Sequence, residues 1–442
     1  MSREMKHSGI DWIGEIPKEW KLPRLKNVAE LHGRIGWNGL RSEEFEERSY
    51  AYLVTGQDFK SSIIDWTNCY QIRKERYDED TFIQLKNGEL LITKDGTIGK
   101  VAVVSNMDKP ACLNSGIFVL RQKLDSFVPK FLYWQLCSSL LKTYNNYMNL
   151  GGTTIIHLYQ NVFERMPLVA PSLSEQQKIA NYLDKVCGEV DEMIALQEQM
   201  IEELKAYKQS VITEAVTKGL NPNVPMKDSG IDWIGEIPEH WNQSKTLYVL
   251  SMPITDGPHT TPDLFDEGIP FISADAVSDG FINFENKRGY ISESFYEECC
   301  KKYIPQRDDI YMIKSGASTG RTAIVETDEI FTIWSPLAVF RANKSIMVPR
   351  FLLYVLRSEG YQKQVENNWS FGTQQNIGMR TLERLIVCYP PISEQQSIAS
   401  YLDTKCAEID DLIAIKQSKI EELKEYKKSV IYEYVTGKKE VV

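Results

Sequence analysis

The sequence predicts an α+β chain made of two mixed α/β domains, each followed by a long coiled-coil helix. Three observations lead there. A helical stretch occurs twice, from Ser174 to Gly219 and from Ser393 to Lys438. A short head also occurs twice, HSGIDWIGEIPKEW at 7–20 and DSGIDWIGEIPEHW at 228–241. Between each head and its helix lies a globular stretch, and the two stretches share one order of strands, loops and helices. The repeated unit, about 220 residues, is far too long for a solenoid repeat. The link at 219–230, GLNPNVPMKDSG, has the Gly, Pro and Asn content of a surface linker.

The helices are read from their period. In the first, Ile179, Leu183, Val186, Val190, Met193, Met200, Leu204, Tyr207 and Val211 follow a 4-3 rhythm, which predicts a coiled-coil seam. Neither copy contains proline, and Pro171, Pro390 and Pro391 stand just ahead of the two starts. Ser174 with Gln177, and Ser393 with Gln396, predict capping boxes. Gln197 and its counterpart Lys416 interrupt the seam with polar groups. Ile194, Ile201, Ile413 and Ile420 run beside it and widen the apolar stripe enough to dock a further partner. An exposed seam of this length needs a partner helix, and the chain supplies one.

The globular stretches carry two recurring polar motifs. An apolar strand enters a small-residue loop, Asp95-Gly-Thr-Ile-Gly-Lys100 in one and Ser315-Gly-Ala-Ser-Thr-Gly-Arg321 in the other, and a second strand leaves it. Later comes a Gly-Thr segment, Gly151-Gly-Thr-Thr-Ile-Ile-His157 and Gly372-Thr-Gln-Gln-Asn-Ile377. The loops invite a phosphate reading, since glycines let backbone N–H groups approach an anion. The second is close to a P-loop, but Ser315 replaces its first Gly and Arg321 its Lys. The favoured reading is a tight turn between strands, with Lys94, Thr97, Lys100, Lys314, Ser318, Thr319 and Arg321 placed to touch a DNA backbone. A plain turn with solvated charges is the alternative. In the Gly-Thr segments, Gln374, Gln375 and Asn376 have the side chains that read adenine edges, and Thr153, Thr154, His157 and Thr373 can serve bases or phosphates. A polar loop leading to the next strand remains the competing reading. Arg34, Trp37 and Asn38, and His259, Thr260 and Thr261, are weaker candidates.

Composition limits the classes. Net charge is −10, which by itself opposes nucleic-acid binding. It is unevenly spread, because residues 1–170 carry 22 basic and 20 acidic residues. DNA binding must then use local patches or a more basic partner. No window is apolar enough for a membrane helix, and the start, MSREMKHSGI, has no apolar signal core, so a cytoplasmic protein is expected. The eight cysteines are scattered and the five histidines have no ligand spacing, so no metal site is expected. No Walker A, His-Glu-x-x-His or Gly-x-Ser-x-Gly pattern occurs, nor the Asp/Asn-Pro-Pro-Tyr/Phe of an amino-methyltransferase. No catalytic residue is assigned.

With the duplicated Ser-Glu-Gln-Gln helices, the Gly-Ile-Asp-Trp-Ile-Gly-Glu-Ile-Pro heads and the Lys-Asp-Gly-Thr-Ile-Gly-Lys loop in view, the chain resembles a type I restriction–modification specificity subunit over essentially its whole length. The resemblance implies two target recognition domains, 1–171 and 221–390, and two spacer helices, 172–220 and 391–442. It implies that the helices pair antiparallel about a pseudo-two-fold axis. Each domain would read one half of a bipartite asymmetric DNA site. The helices would set the gap and dock two adenine-methyltransferase subunits. A motor-nuclease restriction subunit would be a further partner. S-adenosylmethionine, magnesium and ATP would be bound by those partners and not by this non-catalytic chain. Two other classes stay open: a coiled-coil scaffold without DNA contact, and a nucleotide-dependent enzyme using the near-P-loop.

Overall fold

A computed structural model of the chain describes residues 3–34, 40–60, 62–123, 127–148, 157–371 and 374–441. It divides into two compact units, Met1–Gln197 with Ser418–Val442, and Glu198–Gln417. Both boundaries fall inside the long helices, Leu173–Lys218 and Ile392–Val435. Each unit therefore holds one head, one globular part, the start of one long helix and the end of the other.

The first unit contains a six-stranded sheet in the order Ala29–His32, Ile117–Gln122, Leu90–Thr93, Val101–Val103, Ile63–Ile64, Phe59–Lys60. A three-stranded sheet runs Ala111–Leu113, Ala51–Val54, Tyr70–Ile72. The second unit repeats the plan. Its main sheet runs Thr255–Asp256, Leu337–Phe340, Ile310–Ile313, Thr322–Ile324, Gly280–Phe281, and its small sheet runs Gly289–Ile291, Ile269–Ile272, Thr332–Ile333. Register is kept as well: Ile117 lies opposite Thr93, and Leu337 opposite Ile313. The duplication thus extends to topology where the sequence skeleton is weak, the first main sheet carrying one more edge strand, Phe59–Lys60, among the described residues.

Period-two geometry explains why the central strands are apolar throughout. Leu90 and Ile92 join the core shared with the helices Pro129–Cys137 and Ser139–Met148, while Leu91 faces the core under the small sheet. In the second unit Ile310 and Met312 face the helix side, and Tyr311 and Ile313 the other. Pro129 and Pro349 each sit at the first turn of the covering helix, where a missing N–H costs nothing.

The heads act as clasps. Trp20 is buried and donates its Nε1–H to Glu175 at 3.1 Å; Trp241 does the same to Glu394 at 3.2 Å. The next residue of each Ser-Glu-Gln-Gln motif is buried too. Gln176 accepts the Val128 N–H at 2.8 Å and donates to the Pro171 carbonyl at 3.0 Å, and Gln395 repeats this with Val348 and Pro390. The predicted capping boxes do not form. Ser174 and Ser393 already lie inside their helices, and the Glu175 N–H instead approaches the Ser172 hydroxyl at 3.3 Å. At the far end of the second helix, Gly437 (φ 72°) closes against the first head, where a Cβ would come within 2.5 Å of Pro17.

Helix pairing is antiparallel inside each unit. In the first, Tyr182 meets Tyr434, with hydroxyls 3.1 Å apart, and Asp191 accepts from Lys427 at 2.6 Å. In the second, Lys208 donates to Asp410 at 2.9 Å. One row of the predicted seam, through Val190, Gln197 and Leu204, is where the 4-3 count puts it, but the row beside it lies one residue on, at Cys187, Ile194, Ile201 and Lys208 in place of Val186, Met193, Met200 and Tyr207. Cys187, Val190, Ile201 and Lys208 are buried, with Ile194, Gln197 and Leu204 half-buried between them. Met193 and Tyr207, placed in the seam by the 4-3 count, are exposed. Two successive four-residue steps, 179 to 183 to 187, carry the stripe round, because a 3.6-residue helix drifts against a 3.5-residue repeat. The same steps recur at Ile398, Leu402 and Cys406. Ile201 (6 % exposed) and Ile420 (2 %) are therefore seam residues, not part of a free docking stripe; Ile194 and Ile413 are half-buried.

Candidate nucleic-acid interface

The two polar motifs, far apart in sequence, come together in each unit. In the first, Lys94 gives its N–H to the Gly116 carbonyl at 2.8 Å and takes the Leu158 N–H on its own carbonyl at 3.1 Å. His157 Nδ1 lies 2.7 Å from the Asp95 carboxylate. In the second, Lys314 gives its N–H to the Pro336 carbonyl at 2.8 Å and takes the Ile377 N–H at 2.9 Å. The Gly316 N–H also donates to the Gln375 carbonyl at 3.0 Å. So the end of each Gly-Thr segment is tied to the start of each Gly loop by the same backbone pattern.

The loops themselves are turns. The Thr93 hydroxyl donates to the Thr97 carbonyl at 2.5 Å and accepts the Lys100 N–H at 3.0 Å, with Gly96 (φ 68°) and Gly99 (φ 83°) supplying the left-handed backbone. In the second unit the Thr319 hydroxyl donates to the Gly316 carbonyl at 2.7 Å, and the Gly320 N–H to the Ile313 carbonyl at 2.8 Å. Each loop joins two antiparallel strands of the main sheet, Leu90–Thr93 to Val101–Val103 and Ile310–Ile313 to Thr322–Ile324. A P-loop needs a helix N-terminus behind it to face the phosphates, and here a strand follows. The near-P-loop reading fails on that ground.

Side chains left outward are polar. Thr97, Lys100, Arg321, Gln374 and Asn376 are exposed; Ser318, Thr319, Gln375 and His157 are less so but reach the surface. Thr153, Thr154 and Thr373, with Trp37 and Asn38, lie outside the described residues. Two candidates are corrected. Arg34 is buried and donates Nε–H to the Leu113 carbonyl at 3.1 Å, so it cannot meet a base. Lys314 is not a free cation. Its side chain is 14 % exposed and its ammonium lies 3.3 Å from Asp256 Oδ2.

Asp256 stands outside the residues to which the sequence motifs point. It is 1 % exposed, pairs with Lys302, and has His259 Nε2 at 3.3 Å as well as Lys314. Its Oδ2 makes no aligned hydrogen bond, so the approach of the Lys314 ammonium is a charge contact. It lies in Thr255-Asp-Gly-Pro-His-Thr-Thr-Pro262, at the end of the strand Thr255–Asp256 and just ahead of a Gly-Pro pair. Among the described residues no cluster could hold a metal ion, and no helix is long and apolar enough to cross a membrane.

A polar, turn-built surface is thus repeated on two like domains, each packed on the start of a long helix. The model of the type I restriction modification DNA specificity domain matches residues 17–206 and 257–425, well over half of the chain, and the chain belongs to that family. It is similar to the putative type I restriction enzyme MjaX specificity subunit of Methanocaldococcus jannaschii, 26 % identical, covering 96 % of this chain and 95 % of that protein. It is also similar to the EcoBI specificity subunit of Escherichia coli, 24 % identical, covering 93 % and 84 %. Its fold matches a chain from a structural study of complex assembly and conformational transition in a type I R-M system. That match has a TM-score of 0.71 at 18 % identity and covers 96 % of this chain and 99 % of the other.

Proposed function

We propose that this chain is the sequence-reading subunit of a type I restriction–modification complex, with each unit reading one half of a bipartite asymmetric DNA site. One observation carries the reading. The Gly loop and the polar segment meet through the same backbone hydrogen bonds at Lys94 and at Lys314, yet present different side chains. A constant frame with variable edges is what two readers of different half-sites require. The chain performs no chemical step. Two adenine-methyltransferase subunits, and in the restriction form a motor-nuclease subunit, bring S-adenosylmethionine, magnesium and ATP.

The partner surface moves with the corrected seam. Met193 and Leu196 are exposed on the first long helix, and Leu412 and Ile415, their duplicates, on the second. One apolar pair per unit fits one methyltransferase subunit per unit. The test is methylation mapping of DNA exposed to the chain and its methyltransferase partner. A bipartite site is expected, and replacing residues 24–165 by the equivalent domain of a relative changes only one half. Methylation that ignores sequence, or a swap that changes both halves, overturns the reading.

A further inference from the structure

Lys94 and Lys314 occupy equivalent places but sit in different electrostatic settings. In the first unit the Lys94 ammonium lies over the Phe118 ring, 4.7 Å from its centre. The neighbouring strand ends at His32, opposite Val119, and the next residue is Gly33. A Cβ at Gly33 would come within 2.8 Å of the Phe118 ring, so glycine and ring fit as a pair. In the second unit Thr255 lies opposite Val339, and Asp256 opposite Ala338. Alanine thus stands where the ring was, and aspartate where glycine was. The smaller residue leaves space for a buried carboxylate, on which Lys302, Lys314 and His259 converge.

The two settings have opposite consequences. An aromatic face attracts a cation without cancelling its charge. The Asp256 carboxylate, paired with Lys302 and 3.3 Å from the Lys314 ammonium, holds that ammonium inward on a side chain only 14 % exposed, and a buried charge contact is hard to give up. We infer that the two lysines do different work on DNA. Lys94 neutralises a backbone phosphate. Lys314 is a strut, and Asp256 is the positioning residue that fixes the 255–262 loop, with exposed His259 and Thr260, beside the 314–321 loop to read the second half-site. This inference rests on the DNA-recognition reading above.

Counterion release separates the two roles, since each phosphate contact adds about 0.9 to the exponent of the salt dependence. The experiment uses the full chain with its methyltransferase subunits, and binding to the mapped site from 50 to 200 mM salt. Duplexes with either half-site scrambled measure discrimination. Lys94→Met is expected to shrink the loss of affinity over that range by about 3.5-fold, with both half-sites still discriminated. Lys314→Met is expected to leave the salt dependence unchanged and to reduce discrimination of the second half-site at least tenfold. The double variant Asp256→Gly, Ala338→Phe copies the first unit's setting into the second, and carries the test if Lys314→Met does not assemble. It is expected to steepen the salt dependence by about one phosphate contact and to lose second half-site discrimination. Equal flattening by Lys94→Met and Lys314→Met overturns the inference, as does a double variant with unaltered salt dependence. A wild-type complex without site preference overturns the DNA reading itself and this inference with it.

Discussion

Lys208 donates to both carboxylate oxygens of Asp410, each at 2.9 Å, from a side chain only 9 % exposed. It also donates to Asp279 at 2.9 Å, so one ammonium joins the end of the first helix, the start of the second and the globular part of the same unit. Burial pulls the Lys208 pKa down, but the hydrogen bonds to Asp410 and Asp279 outweigh it and the net shift is upward from the ordinary 10.5. Burial raises the Asp279 pKa, and Arg357 and Lys208 lower it further than that, to below 3.8. The signs follow from linkage. The lysine's contribution is complete below about pH 10.5 and is lost as pH rises through its raised pKa. The aspartate's is complete above about pH 3.8 and is lost as pH falls through its lowered pKa. Between those limits these two groups leave stability independent of pH, which denaturant titrations at several pH values check.

Removing the charge tests the same junction. Lys208→Met is expected to destabilise the second unit by about 1.5–3 kcal/mol, the range for hydrogen bonds to charged groups. Lys427→Met, the duplicate change, removes a pair with Asp191 alone from a more exposed side chain and is expected to cost about 1 kcal/mol or less. Denaturant unfolding of both variants measures the difference. A larger effect at Lys427 contradicts the account.

The docking pairs make a separate prediction. Leu196→Asp and Ile415→Asp place charge on exposed apolar positions outside the helix seam. Each is expected to leave the thermal melt of the isolated chain nearly unchanged, since surface substitutions usually stay within about 0.5 kcal/mol. Each is expected to remove one methyltransferase subunit from the complex, and the pair to remove both. Mass measurement of the assembled complex reads this directly. Full assembly by the double variant means that the methyltransferase binds elsewhere.

What the sequence made legible follows from what is local. The heads and the Ser-Glu-Gln-Gln starts were visible as repeats, and Trp20 with Glu175, like Trp241 with Glu394, shows why those residues are kept together. The two mixed domains and the long helices were visible from period and order. Only one row of the seam, through Val190, Gln197 and Leu204, was visible in the same way. Met193 and Tyr207 look like core and are outside, while Lys208 looks like surface and is buried, because a pairing residue from another helix decides which face is covered. Likewise Lys314 reads as a free cation until the sheet register sets Asp256 opposite Ala338. Only a comparison of the two halves position by position, Gly33 with Asp256 and Phe118 with Ala338, could have shown it.

If the helices act as spacers, their length sets the gap between half-sites. Seven residues inserted after Gln199 and seven after Ser418 keep the seam in phase and add about 10 Å of helix. That is roughly three base pairs at 3.4 Å per step. Methylation mapping should then show both half-sites unaltered and the gap lengthened by about that amount. An unchanged gap means that something other than the helices fixes it.

The duplicated ion pairs yield the last prediction. Asp191 and Lys208 lie on the same helix, and by the repeat their partners Lys427 and Asp410 are the counterparts of Lys208 and Asp191 respectively. A fragment of residues 1–220 loses the second helix but keeps both members of the pair. Two such fragments pairing antiparallel would set Asp191 of each against Lys208 of the other, twice, as a two-fold dimer. One mismatch remains. The first head closes on Gly437 in the intact chain, and the first helix has Lys218 at the equivalent place, with its glycine at 219. The head must then seat as the second head does, on Gly219, whose Cβ would lie 3.3 Å from the Trp241 ring. The dimer is therefore expected to form, but more weakly than the pairing in the intact chain. Sedimentation should show a dimer at micromolar concentration. Asp191→Lys should abolish it, and Asp191→Lys with Lys208→Asp should restore it. With methyltransferase subunits added, the dimer should modify a palindrome of the first half-site. A folded fragment that stays monomeric at high micromolar concentration refutes the pairing, and a dimer that methylates no symmetric site refutes the two-fold arrangement.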